Sequence, residues 1–320
     1  MKICMIGLGS IGRRHIKNIS RLLKERKIPF IIDALRHSRS SLPADIDAML
    51  ANRYFSYEEL PDDYDVIFIT NPTSEHFTAI KQTVGKTKAM FIEKPVFSEG
   101  LTETKAEKLV EELGLKPKGI YYVACPIRYK AALQYVKQQI DRGEKVYGAR
   151  AISTSYLPEW RKGTDYRTTY SADRSLGGGV TLDLIHEWDY LTFLFGMPQK
   201  VWHLEGKYSE LEINCEDVSL YMADYGDKTI EVHLDYYGRF AERRLELYCR
   251  DYRMDVDLLH NVVEYKSGQP EKNRKLVFPE EDFYVNEMNC FLDLLEGKQE
   301  NGNTIFHAFK VLGLIVQEPH

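Results

Sequence analysis

The sequence predicts two domains: an α/β domain built on a doubly wound parallel sheet, and an α+β domain with an open antiparallel sheet flanked by helices. Over about the first 120 residues, short apolar runs alternate with helical patterns, which is typical of βαβ units. From about residue 145, apolar and polar side chains alternate with a period of two. The 320 residues, 43% of them apolar, are enough for two cores. We therefore assign residues 1–122 and 123–320 to the two domains.

Short, continuous apolar runs predict the strands of the first domain, because parallel strands are buried on both faces. These runs are residues 3–6, 30–35, 66–70 and 89–92. Apolar residues at helical spacing predict helices over residues 11–27, 75–84 and 102–113. The domain boundary is expected within residues 117–128, where a Lys-Pro-Lys-Gly segment has just interrupted a helix.

The second domain is predicted to contain an antiparallel meander and three helices. Its strands are expected at residues 201–208, 218–225, 229–236, 244–249 and 262–265. The segment Tyr225-Gly226-Asp227-Lys228 has the composition of a hairpin turn. Helices are predicted over residues 130–142, 182–195 and 283–296, because each of these patterns ends at a glycine that can cap it.

Composition excludes several classes of function. The 43 basic and 48 acidic side chains leave a net charge of −5, so there is no basic surplus for binding nucleic acid. No apolar run approaches the length of a membrane span or of a signal peptide. The five cysteines are scattered and form no C-x-x-C pair, which argues against a disulfide framework and a zinc site. We therefore expect a cytoplasmic protein with a small-molecule partner, without nucleic acid or membrane binding.

A glycine-rich loop follows the first predicted strand and opens the first helix, with the sequence Gly7-Leu8-Gly9-Ser10-Ile11-Gly12. This is the context of the dinucleotide fingerprint of Rossmann domains: the first glycine allows a tight turn, the second a close approach of the pyrophosphate, the third close helix packing. A plain cluster of turn glycines is the alternative. The strand before and the helix after favour a dinucleotide site that includes Gly7, Gly9, Ser10, Ile11 and Gly12.

The end of the second strand determines which cofactor is expected. Asp33 has the spacing of a residue that binds the ribose 2′-hydroxyl of NAD(H), but it lies inside the apolar run 30–35. Arg36, Ser38 and Arg39 follow that run and could bind a 2′-phosphate. A solvated basic loop is the alternative interpretation. We favour NADP(H) over NAD(H), with these three residues as ligands.

Lys94 and an acid–imidazole pair are the candidate catalytic groups. Lys94 comes just after the strand at 89–92, at the sheet edge where ligands bind, although a surface lysine is the plainer interpretation. Asp183 and His186 are three residues apart on an otherwise apolar predicted helix, so they should share one face, and Asp183 could orient the imidazole. A metal site of His186, Glu187 and Asp189 is disfavoured, because consecutive helical residues point about 100° apart. We predict no metal.

The order of these motifs resembles the Gfo/Idh/MocA family, the glucose-fructose and inositol dehydrogenase type of oxidoreductases, over nearly the whole chain. Besides the glycine loop, Thr70-Asn71-Pro72 with His76 resembles the family's T-P-N-x-x-H loop, and Glu93-Lys94-Pro95 matches its E-K-P. The segment ending at Trp160-Arg161, and the glycines at 177–179 that lead to Asp183, His186 and Asp189, resemble its second-domain signature.

The resemblance implies an NAD(P)-dependent dehydrogenase or reductase that acts on a secondary alcohol or ketone of a sugar, cyclitol or sugar nucleotide. It implies that Lys94 and His186 bind the reacting oxygen and move its proton, while Asp183 orients them. It adds Thr70, Asn71, Pro72, His76, Glu93 and Lys94 to the cofactor site. It places Arg128, Arg161, Tyr166 and His186 at the substrate, and it implies a homodimer or homotetramer formed through the second sheet.

Two departures from the family pattern leave alternatives open. Asp183 and His186 are one residue closer together than in the family's D-x-x-x-H, so either of them could be displaced, and Asn71-Pro72 is exchanged relative to P-N. A catalytically inactive dinucleotide-binding regulator and a reductase of a non-sugar ring are the other candidate functions. Lys94, Asp183 and His186 together favour an enzyme, and the polar run 161–169 favours a substrate with many hydroxyls or a phosphate.

Overall fold

The computed structural model describes residues 1–315. Its strands are β1 (Lys2–Ile6), β2 (Ile31–Leu35), β3 (Asn52–Tyr54), β4 (Tyr64–Ile69), β5 (Thr87–Ile92), β6 (Ile120–Val123), β7 (Val146–Thr154), β8 (Lys200–Gly206), β9 (Val218–Asp224), β10 (Thr229–Asp235), β11 (Glu242–Cys249), β12 (Tyr252–Asp257), β13 (Val262–Ser267) and β14 (Arg274–Val277). Its α-helices are α1 (Ser10–Glu25), α2 (Ala44–Asp47), α3 (His76–Thr83), α4 (Glu103–Glu112), α5 (Ala131–Asp141), α6 (Val180–Asp183), α7 (His186–Phe195), α8 (Phe283–Leu295) and α9 (Ile305–Leu314). Within residues 1–315, none of the helices is long and apolar enough to cross a membrane.

The first compact unit, Met1–Ala124 with Tyr284–Gly313, is built on a six-stranded sheet in the order β3-β2-β1-β4-β5-β6. Every neighbouring pair is parallel, which confirms the predicted doubly wound sheet. The last four residues of β1, β2, β4 and β5 are buried, as expected for strands covered on both faces. The strand order reverses between β1 and β4, where doubly wound sheets bind their ligands.

The chain returns to the first unit after residue 283, a segment that the sequence analysis grouped with the second domain. The Phe291 ring of α8 packs against Phe91, with ring centroids 5.1 Å apart, and against Tyr122, at 5.5 Å. Arg26, at the end of α1, donates to the Asp293 carboxylate at 2.7 Å. These contacts cover the sheet with a helix that lies far away in sequence. Residues 316–320 of the expected second domain lie outside the described residues.

The second unit, Cys125–Phe283 with residues from Leu314, contains an eight-stranded sheet in the order β14-β13-β12-β11-β7-β10-β9-β8. The hairpin between β9 and β10 is confirmed: Tyr225 N–H donates to Lys228 O at 3.0 Å, and Gly226 has φ +82°. The sheet is antiparallel except for one pair, β7 and β10. The expected meander is therefore interrupted, because the unpredicted strand β7 lies between β11 and β10.

The single helix predicted over residues 182–195 is wrong, since α6 ends at Asp183 and α7 begins at His186. Between them, the backbone hydrogen bonds tighten to a spacing of three residues, from Ile185 N–H to Leu182 O and from Glu187 N–H to Leu184 O. The argument that Asp183 and His186 share one helix face assumed a continuous α-helix, so it does not hold.

Candidate functional site

Three candidate segments lie at one edge of the first unit's sheet. The glycine loop follows β1, the Thr70–His76 segment follows β4, and Glu93-Lys94 follows β5. Because β1, β4 and β5 are adjacent parallel strands, the structure brings these segments together at their carboxyl ends. This is the edge at which open α/β sheets bind ligands.

The glycine loop packs directly on the segment after β4. A Cβ added at Gly7 would lie 2.8 Å from the Asn71 backbone, and one at Gly12 would lie 2.5 Å from Gly7 O. Thr70 Oγ1 lies 2.6 Å from Gly7 O and donates to it. At Gly9, by contrast, a Cβ would meet nothing within 4 Å. Gly7 and Gly12 are therefore required by packing, whereas Gly9 faces open space.

The surroundings of Gly9 fit a phosphate-containing dinucleotide. Helix α1 begins there without a side-chain cap and without an acidic residue in its first turn. Its exposed amides and its dipole therefore favour an anion. The buried Asn71 Oδ1 has no hydrogen-bond partner among the described residues. An amide oxygen buried in this way is available to a bound polar group.

The Asp33 carboxylate is hydrogen-bonded to other side chains of the protein. The residue is fully buried in the middle of β2, where its carboxylate accepts hydrogen bonds from Asn52 Nδ2 at 2.8 Å and from the Tyr64 hydroxyl at 3.0 Å. The strand ends at Leu35, as predicted. Asp33 therefore stabilises the sheet from within, and Arg36 is the first side chain beyond the strand.

The loop after β2 holds the predicted 2′-phosphate ligands. Arg36 is half-buried, and its Nη2 donates to Ser40 O at 2.8 Å. The exposed Arg39 guanidinium lies over the Phe55 ring, 4.6 Å from its centroid. The exposed Ser38 hydroxyl donates to Ser40 Oγ at 3.0 Å. The two guanidiniums and two hydroxyls are thus grouped on one short loop at the strand end.

His76 supports the site rather than lining it. It is 1% exposed, and its two ring nitrogens each lie 3.1 Å from a backbone oxygen, Nδ1 from Val96 O and Nε2 from Asn71 O. Burial lowers the pKa of His76, so the neutral ring donates to one of these oxygens at a time. The side chain therefore fixes the Asn71 loop against the segment after Lys94.

Glu93 is also buried, and it has two partners. Its Oε1 accepts from His15 Nε2 at 2.5 Å, and its Oε2 accepts the Lys94 backbone N–H at 3.1 Å. Burial alone would raise the pKa of Glu93, but the His15 hydrogen bond and the nearby positive charges lower it. Glu93 therefore acts as an ionised support for Lys94, whose half-buried side chain begins at the strand end.

In the second unit, the glycine segment approaches two other parts of the chain. A Cβ at Gly178 would lie 2.1 Å from Tyr170 O, and one at Gly179 would lie 2.2 Å from the Glu216 carboxylate. The prediction that these glycines bring the chain close to another surface is confirmed. Helix α6, which ends at Asp183, begins directly after this contact.

The buried Asp183 carboxylate accepts hydrogen bonds from two tyrosines. The Tyr170 hydroxyl donates to Oδ1 and the Tyr236 hydroxyl to Oδ2, each at 2.7 Å. Burial, together with the Asp183 charge, raises the pKa of both tyrosines well above the usual range. Both hydroxyls therefore remain protonated donors at neutral pH. The half-buried His186 opens the next helix.

Two acids near His186 form ion pairs with arginines: Asp189 with Arg128, and Glu187 with Arg243. The Arg128 side chain, which is only 5% exposed, donates from Nε and Nη2 to the two Asp189 oxygens at 2.8 and 2.7 Å. Glu187 Oε1 accepts from Arg243 Nε at 2.7 Å. Across residues 1–315, no cluster of three or more His, Cys, Asp or Glu side chains could hold a metal. Arg128 is thus committed to an internal ion pair.

Arg161 and Tyr166 line a small depression of about 10 Å³ in the second unit. The Arg161 guanidinium lies over the Tyr170 ring, 5.3 Å from its centroid, and forms no ion pair within the described part of the chain. The Tyr166 hydroxyl accepts the Glu212 backbone N–H at 3.0 Å. Tyr170 thus contacts both the Arg161 guanidinium, through its ring, and the Asp183 carboxylate, through its hydroxyl.

Comparisons with known proteins agree with this architecture. Residues 1–119 match the family model GFO_IDH_MocA, described as the oxidoreductase family with an NAD-binding Rossmann fold. The uncharacterized oxidoreductase YrbE of Bacillus subtilis (strain 168) is 32% identical over 196 residues, 60% of this chain and 53% of that protein. Inositol 2-dehydrogenase/D-chiro-inositol 3-dehydrogenase of Lacticaseibacillus casei is 22% identical over 222 residues, 67% of this chain and 56% of that protein. The matched part spans about half the length of these relatives.

A solved structure extends the likeness to both units. UDP-N-acetylglucosamine 3-dehydrogenase GnnA from Acidithiobacillus ferrooxidans has a TM-score of 0.73 at 20% identity, covering 98% of this chain and 95% of that one. At this identity the likeness shows the fold. Residues 1–119 match the Gfo/Idh/MocA family. The resemblance stated from the motifs is thereby confirmed.

Sequence reasoning missed three side chains that hold candidate residues in place, His15 in the first unit and Tyr170 and Tyr236 in the second. His15 lies one helical turn beyond Gly12, and a histidine on the buried face of an amphipathic helix was a usable signal. Tyr170 and Tyr236 lie 13 and 53 residues from Asp183. Their spacing from Asp183 carries no signal, because only the folded chain brings them together.

Substitution by alanine should affect different properties at Gly12 and at Gly9: stability at Gly12, and dinucleotide binding at Gly9. Gly12→Ala places a methyl group against the backbone, so we expect a loss of about 1–3 kcal/mol in the free energy of unfolding. Gly9 has φ −65°, which alanine adopts, so Gly9→Ala should change that free energy by less than about 0.5 kcal/mol. Its methyl group should nevertheless weaken dinucleotide binding about tenfold or more, because it fills the space where the pyrophosphate approaches.

Denaturant unfolding and titration with reduced nicotinamide dinucleotides measure the two effects. Gly85→Ala is the matched control, since a Cβ there also meets nothing within 4 Å but lies away from the loop. Unchanged dinucleotide affinity in Gly9→Ala would show that the ligand does not approach the backbone at this point.

Proposed function

We propose that this protein is an NAD(P)-dependent oxidoreductase that transfers hydride between a nicotinamide and a secondary alcohol or ketone of a sugar, cyclitol or sugar nucleotide. The observation that carries the proposal is the arrangement at the carboxyl edge of the first sheet. There, a dinucleotide-type glycine loop, the Asn71 loop and Lys94 follow three adjacent parallel strands. A reductase of a non-sugar ring and an inactive regulator would share the glycine loop, but Lys94 favours an enzyme, and the polar run 161–169 favours a substrate with many hydroxyls or a phosphate.

The residues of the first unit have distinct proposed roles. The cofactor contacts the backbone at Gly9, Ser10 and Ile11, and the loop at Asn71 and Pro72; when bound, it supplies or accepts the hydride. Lys94 binds the reacting oxygen and moves its proton, because an amine at this edge can act as general acid or base. Gly7, Gly12, Thr70, His76 and Glu93 hold these groups in place through the contacts described above.

His186 of the second unit is the second proposed proton-transfer group, and Asp183 is proposed to orient the reacting groups. Arg161 and Tyr166 are the proposed substrate ligands, because the family resemblance places them at the substrate and the Arg161 guanidinium has no internal ion pair among the described residues. Arg128 is not proposed as a substrate ligand, because its guanidinium is bound to Asp189.

NADP(H) is the proposed cofactor. Arg36 and Arg39 bring two positive charges to the end of β2, with the Ser38 hydroxyl between them. The carboxylate of Asp33, which would bind a free 2′-hydroxyl, is buried and already accepts two hydrogen bonds. Both features favour a 2′-phosphate over an unmodified ribose.

A homo-oligomer formed through the second sheet is part of the proposal. Neighbouring strands β8 and β9 present Trp202, Leu204 and Met222 on one face, with 43%, 55% and 46% of each residue exposed. Exposed apolar patches of this kind mark protein interfaces.

A cytoplasmic location is also proposed, because the described structure contains no disulfide. Cell fractionation tests this location.

Turnover with a substrate panel tests the reaction itself. Purified protein is assayed with NADP⁺ and NAD⁺ against cyclitols, free sugars and UDP-sugars, and in the reverse direction against the corresponding ketones. Turnover of at least one of these classes is expected. Turnover of a dihydrodiol or a linear tetrapyrrole alone would overturn the proposal.

Lys94→Met and His186→Asn should each lower kcat at least about 100-fold, because each removes a proton-transfer group. Affinity for the reduced cofactor should stay within about threefold of the parent protein in His186→Asn. Lys88→Met and His260→Asn are the controls, since Lys88 lies on β5, the strand that Lys94 follows, and both residues are exposed and paired with nearby carboxylates. If both catalytic variants kept near-parental turnover with intact cofactor binding, the assignment would be wrong.

Arg36→Ala should weaken NADPH binding about tenfold or more and change NADH binding less than about twofold, because a charge-assisted hydrogen bond to the 2′-phosphate is lost. Energy transfer from tryptophan to the reduced nicotinamide measures both affinities. Arg53→Ala is the matched control, because this arginine lies on the neighbouring strand β3 and is paired with Asp47. Equal loss for both cofactors, or tighter binding of NADH by the parent protein, would contradict the NADP(H) assignment.

Leu204→Glu should dissociate the oligomer, because it places a charge within the apolar patch of β8 and β9. Light scattering coupled to gel filtration gives the mass of the assembly. Val277→Glu provides the control, since Val277 is 69% exposed on β14, the opposite edge strand. A parent protein that is monomeric, or loss of assembly only in Val277→Glu, would refute this interface.

A further inference from the structure

The buried residue His15 pairs with Glu93 behind the proposed site, and it has no assigned role. His15 is on α1, one helical turn beyond the glycine loop, and it is fully buried. Its Nε2 lies 2.5 Å from Glu93 Oε1. The pair therefore joins the helix that starts at the dinucleotide loop to the segment that carries Lys94.

The surroundings of His15 leave it one polar partner. Its ring lies edge-on to Phe91, with centroids 4.9 Å apart, and close to the rings of Phe68 and Tyr284, at 6.2 and 6.4 Å. Its Nδ1 has no hydrogen-bond partner in the described part of the chain. An imidazole in such an aromatic environment is costly to bury unless its remaining hydrogen bond is strong. The short contact with the Glu93 carboxylate supplies that bond.

The Glu93 carboxylate transmits this constraint to Lys94. Its second oxygen accepts the Lys94 backbone N–H at 3.1 Å, while the Glu93 backbone N–H donates to Ile69 O at 2.9 Å. The backbone of Glu93 is thus fixed by the sheet, and His15 decides which way its carboxylate points. Without His15, the carboxylate would be free to rotate away from the Lys94 amide.

We propose that His15 is a positioning residue for Lys94, which acts by holding the Glu93 carboxylate against the Lys94 backbone. This inference rests on the proposed function of Lys94. It links the helix at the cofactor phosphates to the proton-transfer group through one buried hydrogen bond. A role confined to packing would not require a hydrogen-bond donor at the position of Nε2.

Two variants separate positioning from packing. His15→Phe keeps an aromatic ring but removes the donor, whereas the amide nitrogen of His15→Gln can reach the position of Nε2. In His15→Phe we expect kcat to fall about tenfold or more, with KM within about threefold, and the Lys94 amide to exchange its hydrogen about tenfold faster. His15→Gln should restore both quantities to within about threefold of the parent protein. Protein labelled with ¹⁵N-lysine gives the exchange rate by NMR.

A replacement variant is available, and specific results would contradict either the positioning role or the proposed function. If His15→Phe does not fold, His15→Asn replaces it, because its shorter amide also cannot reach Glu93. Either of two results would overturn the positioning role. One is an unchanged hydrogen-exchange rate of the Lys94 amide in the variant without a donor, and the other is an equal loss of kcat in His15→Phe and His15→Gln. If the parent protein turns over no sugar-like substrate, the proposed function fails, and the Lys94 amide alone decides whether His15 positions this residue.

Discussion

The carboxyl edge of the first sheet depends on a backbone contact that excludes side chains. At Gly7 and Gly12, the glycine loop lies so close to Thr70, Asn71 and its own backbone that one added carbon would overlap them. This contact lets α1 begin directly at the sheet, with its first amides exposed beside Gly9. The anion-binding property of the helix terminus is thus a consequence of packing on the protein side of the loop.

Buried polar groups stabilise this edge from behind, and they account for acids that look like ligands in the sequence. Asp33 has the spacing of a ribose ligand, yet its carboxylate accepts two hydrogen bonds within the sheet core. Glu93 belongs to a motif associated with cofactor binding, yet it is paired with His15. A buried carboxylate is costly unless it is fully paired, so its partners determine whether it can also contact a ligand.

Periodicity was sufficient to predict four of the six strands of the first sheet, β1, β2, β4 and β5, because these are short and largely apolar runs; β3 and β6 were not predicted. It failed for β7, whose buried positions Ala149, Ala151 and Ser153 are small and give only a weak apolar signal. That strand is held between β10 and β11 by pairing, which no local pattern reveals. The return of α8 to the first unit depends on distant partners such as Phe91. The glycine loop, Lys94 and Asp183 were found because their signals are local, whereas Tyr236 was missed because its contact is tertiary.

The two tyrosines on Asp183 bear on the shortened spacing between Asp183 and His186. Each oxygen of the carboxylate already accepts one hydroxyl hydrogen, and both tyrosines are held protonated because burial and the Asp183 charge raise their pKa values. The two hydroxyl donors occupy one lone pair on each oxygen and so fix the orientation of the carboxylate. Within the proposed function, proton transfer therefore falls to Lys94 and His186. Asp183 ends α6 and His186 begins α7, so the positions of these two residues are set by separate helices, and the shortened spacing between them is spanned by the tightened turn described above.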